Sequence, residues 1–339
     1  LVFLPLQGFY PVKVLLPMLE NNTIITKFND LLRKGIPFLF IIDYKAQSPI
    51  IHPLSDLPDD IRFSTPGFPD SFSTKKVPEL SLKKYPVPYD DYLDKFNSIQ
   101  AEILHGNTFL INLTQETKLE LNWDLEMIYN NSHAPYKLWL KDRFVVFSPE
   151  IFIRIKDKRI VTFPMKGTID GAVPNAREVL LSDIKETAEH NTIVDLMRND
   201  LSRIAHHVNV DRFRYIDHIR THEKEILQVS SEISGLLADN FKNQLGEILL
   251  SLLPAGSICG APKAKTVEIL QRIEAYERDY YTGVFGVFDG KNLDSAVMIR
   301  YIENSPSGYI FKSGGGITHM SDPEKEYQEL IDKVYVPLA

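Results

Sequence analysis

Cysteine is almost absent: the 339 residues hold one, Cys259. A lone thiol cannot close an intrachain disulfide, so stability must come from an apolar core, and the chain suits a reducing, cytoplasmic setting. A cysteine-based metal cluster is excluded as well. Positive charge is in short supply: 38 Lys and Arg stand against 45 Asp and Glu, the net charge is −7, and no long basic run occurs. That balance argues against a general nucleic-acid surface. Unbroken apolar runs of membrane-spanning length are missing too. Residues 1–23 are apolar but interrupted by Pro5, Pro11 and Pro17, and they carry no basic leader. They read as a poorly defined N-terminal extension, not a signal peptide, with the folded body over 24–339.

What is present is a soluble composition, 44% hydrophobic and 24% charged, in a chain long enough for one large core. Residues 36–43 read as a buried strand, 52–88 as a long loop rich in Pro, Ser and Asp, and 90–105 as a helix stopped by Gly106. Strands are expected at 109–114 and 144–147, and a hairpin at 151–163 turning on Asp157-Lys158. Helices are expected at 176–200, 240–253, 262–277 and 323–335, and strands at 225–236, 281–288, 294–302 and 308–313. Helices inserted among antiparallel neighbours give an α+β fold.

Three features carry chemistry. The first is Phe163-Pro164-Met165-Lys166-Gly167-Thr168, where a strand ends and one lysine precedes a turn-permitting glycine. Desolvation there lowers an amine's pKa and frees a nucleophile, so Lys166 is expected to titrate below its solution value. Most such lysines are solvated turn residues.

The second is a pair of Glu-x-x-Glu spacings. Glu186 and Glu189 share one helix face, and so do Glu326 and Glu329 behind a cap expected at Ser321. Each pair alone is common on solvated helices. Brought together, four carboxylates repel unless a cation sits among them, and an all-oxygen set points to Mg²⁺.

The third is a set of tight turns suited to anions. Ser313-Gly314-Gly315-Gly316 exposes bare backbone N–H groups, and its spacing fits neither a Walker loop nor a dinucleotide fingerprint. Arg300, expected at the end of a strand, could clamp a carboxylate. The turn from Pro254 to Lys263 offers the Ser257 hydroxyl.

Together these segments resemble the chorismate-utilising enzymes, within them the aminase component of aminodeoxychorismate synthase in the p-aminobenzoate branch. The matching stretches run from Gly106 to Leu113, Ser148 to Glu150, Pro164 to Thr168, Lys185 to Asp200, Pro254 to Lys263, Tyr281 to Gly286, Ala296 to Arg300 and Ser313 to Glu329. The resemblance implies a single large domain of two packed, mainly antiparallel sheets surrounded by helices, with the site between them. It implies Mg²⁺ held through Glu186, Glu189, Glu326 and Glu329. It implies chorismate bound by Ser257, Tyr281, Arg300, Gly314, Gly315 and Gly316, with Lys263 and Thr168 as further contacts. Lys166 would be the covalent nucleophile, where anthranilate-forming relatives carry alanine. Isochorismate-forming relatives place a water-activating lysine at the position matching Leu110, and a histidine often stands where this chain has Gln228. With Cys259 inside a turn motif, no glutaminase triad can be assembled, so ammonia would come from a separate glutamine amidotransferase subunit. The alternatives are an anthranilate synthase large component, an isochorismate synthase-type enzyme, or a catalytically idle binding partner of a glutaminase.

Overall fold

The computed structural model describes residues 22–70, 78–220 and 225–338; most of the expected N-terminal extension lies outside them. In chain order the helices are α1 (Asn22–Arg33), α2 (Tyr89–Leu104), α3 (Leu125–Asn131), α4 (Ala176–Ser182), α5 (Ile184–Ser202), α6 (Leu245–Leu252), α7 (Lys263–Ile273) and α8 (Pro323–Asp332). The strands are β1 (Phe38–Ile42), β2 (Ile50–Pro53), β3 (Ile61–Ser64), β4 (Leu82–Tyr85), β5 (Leu110–Leu121), β6 (Tyr136–Leu140), β7 (Phe144–Ser148), β8 (Ile151–Lys156) and β9 (Arg159–Thr162). They continue with β10 (Met165–Asp170), β11 (His206–Arg220), β12 (Glu225–Leu236), β13 (Gly260–Ala261), β14 (Val284–Phe288), β15 (Leu293–Val297), β16 (Tyr301–Ser305) and β17 (Gly308–Ile317).

These strands form two antiparallel sheets. The first runs β10-β12-β9-β8-β15-β14-β1-β2, with β11 also on β12. The second runs β13-β5-β17-β16-β7-β6-β3, with β4 also on β5. The expected α+β architecture of two antiparallel sheets with surrounding helices is what the chain adopts.

Alternation along β1 shows how the layers are made. Phe38, Phe40 and Ile42 pack into the cluster that also holds Phe28, Ile193 and Leu249 from α1, α5 and α6. Leu39 and Ile41 point the other way, into a cluster with Leu138, Phe144 and Val146 of the second sheet. Period-two side chains therefore build an outer and an inner core from one strand. All five residues are buried, because both faces are covered. Each such side chain contributes roughly 1.5–3 kcal/mol of burial.

Several expected elements are redrawn. The loop foreseen over 52–88 contains β3 and β4, which pair with β6 and β5. The single helix foreseen over 176–200 is two, because the Asp183 side chain accepts from Glu186 N at 2.8 Å and starts α5 afresh. The cap of α8 is Asp322 rather than Ser321: Asp322 accepts from Lys325 N at 3.0 Å, and Pro323 follows in the first turn. The strand foreseen over 294–302 is also two, β15 in the first sheet and β16 in the second. The chain passes between them at Met298–Arg300. A second passage lies at Pro149–Glu150, between β7 and β8. Phe147 N donates to Arg300 O at 3.1 Å and Val297 N to Glu150 O at 3.0 Å, so the two crossings are laced together. Finally, Gly314–Gly316 is not a turn. It lies in β17, paired with Thr114, Leu113 and Asn112 of β5.

Candidate active site

The site forms where β10, at the end of one sheet, meets β17 of the other, under α5 and α8. Along α5 an apolar stripe of Ile193, Val194, Met197 and Leu201 is buried, and the helix lies on β10, β11 and β12. Docking that stripe carries Glu186 and Glu189, on the same helix, toward β10. On α8 the buried residues are Glu326 and Leu330, and the helix lies on β17.

Lys166 projects from a break in the β10–β12 pairing, whose register shifts between Met165 and Thr168. The break centres on Gly167, whose φ of +82° favours glycine. A Cβ at Gly167 would also meet Glu186 Oε2 at 3.1 Å. The Lys166 side chain is 18% exposed, and its Nζ lies 3.7 Å from Glu189 Oε2. Gly316 on β17 completes this corner. A Cβ there would stand 2.9 Å from Glu189 Oε2, 3.1 Å from Lys166 Nζ and 3.2 Å from Leu110 Cδ1. Strand-borne Gly316 thus leaves bare backbone beside the lysine, which is what the glycine run supplies.

The four glutamates do converge, but with ammonium groups among them. Lys185 Nζ is 2.8 Å from Glu326 Oε1, 3.0 Å from Glu189 Oε1 and 3.6 Å from Glu186 Oε1. Lys333 Nζ is 2.7 Å from Glu329 Oε1 and donates to Gly314 O at 2.9 Å. Neither lysine was singled out from sequence; the i,i+4 spacings of Lys185 to Glu189 and of Glu329 to Lys333 are the local signals. Burial and the neighbouring Glu189 raise the Glu186 carboxyl pKa. Burial works in the same upward direction on Glu329, but Lys333 and its hydrogen bond outweigh it and hold that carboxyl at about 2.

Lys166 itself departs from expectation. Burial pulls its pKa down, but Glu189, Glu329, Glu186 and Glu150 together push harder, and it titrates above its ordinary value.

Among the described residues, no three Asp, Glu, His or Cys side chains stand close enough to hold a metal ion as placed. The donor set is still that of a hard cation: four carboxylates, of which Glu189 and Glu326 are 3% exposed. Glu326 Oε2 is buried without a hydrogen bond. An all-carboxylate cluster with an unsatisfied buried oxygen fits Mg²⁺.

Opposite this cluster is the seam between the sheets. Glu150 lies on one crossing and accepts a hydrogen bond from the Ser257 hydroxyl. Burial raises the Glu150 pKa, against the opposing effects of that hydrogen bond and of Lys166, Arg300 and Lys333. Arg300 lies on the other crossing, at φ +55°, with its guanidinium over the Tyr335 ring at 5.3 Å. Tyr281 is buried nearby, its hydroxyl pKa raised by burial. Glu150 was visible in sequence only as part of the Ser148-Pro149-Glu150 match, without a role.

Two expected substrate contacts have other surroundings. Lys263 is 8% exposed; it pairs with Asp200 and donates to Leu252 O at 3.1 Å, joining α7 to the end of α5. Thr168 is exposed on β10, opposite Gln228 in register. Cys259 is fully buried, its closest polar contact the Tyr44 hydroxyl at 3.7 Å.

Comparison with known proteins identifies the family. The family model described as chorismate binding enzyme matches residues 45–339. An "Uncharacterized PabA-like protein" of Haemophilus influenzae is 49% identical, over 90% of this chain and 94% of its own length. Aminodeoxychorismate synthase component 1 of Salmonella typhimurium is 31% identical, over 72% of this chain and 56% of its own. Among solved structures, anthranilate synthase component I of Streptococcus pneumoniae superposes with a TM-score of 0.62 at 26% identity, covering 75% of this chain and 58% of that one.

Proposed function

Because the chain belongs to the chorismate-binding enzyme family, we propose that it is the aminating component of an aminodeoxychorismate synthase. It would convert chorismate and ammonia to 4-amino-4-deoxychorismate and water, on the way to p-aminobenzoate and folate. The observation that carries this reading is Lys166, a largely buried amine facing the carboxylate cluster; the family resemblance implies alanine there in anthranilate-forming relatives. No polar group replaces Leu110 to activate water, which disfavours isochorismate formation.

The chemistry follows from the residues. Arg300, Tyr281, Ser257 and the bare backbone of Gly314–Gly316 hold the carboxylates and enolpyruvyl arm of chorismate. The neutral Lys166 amine adds to ring carbon 2, the ring double bonds shift, and the bond from carbon 4 to its hydroxyl breaks. Glu150, whose protonated form burial favours, gives its proton to the departing hydroxyl, which leaves as water. Ammonia then adds at carbon 4, the double bonds return, and Lys166 departs as the neutral amine. The extra ammonium proton returns to Glu150. Two allylic displacements thus replace one difficult substitution. A Mg²⁺ held by Glu186, Glu189, Glu326 and Glu329 would anchor the ring carboxylate, draw electrons from the ring and cancel the carboxylate field that keeps Lys166 protonated.

The full burial of Cys259 supports an ammonia source on another subunit, a glutamine amidotransferase. Among the described residues no helix is long and apolar enough to cross a membrane; the cytoplasm is the proposed site of action.

The test is direct. The protein is incubated with chorismate, MgCl₂ and ammonium, and the product is identified by mass and ultraviolet spectrum. A 4-amino isomer retaining the enolpyruvyl group is expected. Anthranilate or isochorismate would overturn the reading, and chorismate binding without turnover would indicate an idle partner.

A further inference from the structure

Lys185 lies where local preference disfavours it. It is in the first turn of α5, directly behind the Asp183 cap, and a cation there faces the positive end of the helix dipole. Its compensation is tertiary. The ammonium reaches Glu189 on its own helix and Glu326 on α8, at 3.0 and 2.8 Å, with Glu186 at 3.6 Å. Glu189 and Glu326 are the two most deeply buried carboxylates of the cluster. One ammonium therefore ties the two acidic helices together. It satisfies Glu326 through Oε1 only, since the buried Oε2 has no hydrogen-bond partner.

We propose that Lys185 is a built-in counter-cation that a divalent metal must displace, so that metal loading is an exchange on Glu189 and Glu326. This rests on the Mg²⁺ site of the proposed function and goes beyond it. An ammonium and a dication compete for those oxygens, because contact with the same oxygen atoms would bring the two cations within a few ångströms of each other, where like charges repel. Lys185 has a way out: 26% of its side chain faces solvent, and its long stem lets the charge swing into water while the helix stays in place. The cost of releasing it sets the metal concentration at which the site fills. Lys185 thus lowers affinity while keeping the metal-free cluster from repelling itself apart.

The test is Mg²⁺ binding by calorimetry on the full chain without chorismate, for wild type, Lys185→Gln and Lys185→Arg. Lys185→Gln is expected to bind Mg²⁺ about tenfold or more tightly, the size of an ordinary coupling between two ligands. Lys185→Arg should stay near wild type or weaker. Without metal, Lys185→Gln should melt below wild type, and saturating Mg²⁺ should narrow or close that gap. Equal or weaker binding by Lys185→Gln would show that Lys185 positions the glutamates, and overturns the exchange. In wild type, the Lys185 ¹³Cε resonance should move toward that of a solvated lysine as Mg²⁺ is added; a stationary resonance at saturation also overturns it. If wild type binds Mg²⁺ and makes the 4-amino product while the substitution changes nothing, only the exchange fails. If no form binds Mg²⁺, the exchange and the metal site fall together.

Discussion

Lys166 Nζ stands 3.7 Å from Glu189 Oε2, and the backbone of Gly316 borders both. Amine, carboxylate and bare strand come from β10, α5 and β17, so no one element holds this corner.

Lys166→Ala should abolish covalent catalysis while leaving the fold intact. The expected loss in ammonia-dependent formation of the 4-amino product is at least about 10³-fold, within the range for removing a nucleophile. Chromatography with mass detection measures it; full activity in the variant would rule out the adduct.

Gly316→Ala tests the bare strand. A Cβ there would press on Glu189 Oε2 and Lys166 Nζ, both ends of flexible side chains. The backbone conformation suits alanine, so the free energy of unfolding should change by no more than about 1 kcal/mol in denaturant titration. Activity should drop about 10²-fold, the effect of displacing reacting groups by roughly an ångström.

Glu150→Gln tests the acid. Burial raises the Glu150 pKa, so its proton persists to higher pH than in an ordinary carboxyl. Activity that needs this proton is present at low pH and lost as pH climbs through the raised value. The variant should be slower by roughly 10²–10⁴-fold and should lack that alkaline limb. Stability follows the same sign. Between the ordinary and raised values the folded state holds a proton the unfolded state has shed, so wild-type stability declines as pH rises through that window, and the glutamine variant should be flat there.

Lys263→Ala distinguishes a substrate contact from a structural pin. Its loss would leave Asp200 buried, 9% exposed, without its principal partner. The expected cost is about 3–5 kcal/mol of stability by denaturant unfolding. A variant of unchanged stability with a raised KM for chorismate would restore Lys263 to the substrate site.

How much of this was legible in sequence depends on whether the signal was local. The β8–β9 hairpin was readable because Asp157 and Lys158 adopt the positive φ of a tight turn between apolar runs. The two glutamate pairs were readable from helical spacing. Lys185 was not, because its role depends on how α5 docks against α8. The glycine run looked like a turn, and only the partner strand β5 makes it a strand. The passage at Met298–Arg300 left no mark, since Val297, Met298 and Ile299 are apolar throughout and no periodicity changes where the chain leaves one sheet for the other. β11 was missed for the opposite reason: its many charged residues suit an exposed edge strand but hide the alternation.

The laced crossings at Glu150 and Arg300 have a mechanical consequence. Both groups ride on the short spans that stitch the layers, not on the layers themselves. A slight slide of one sheet over the other would alter the gap between acid and guanidinium before any ladder hydrogen bond broke. The spacing of that pair is therefore coupled to the alignment of the whole sandwich, and a distant side chain packed between the sheets can alter it without touching either group.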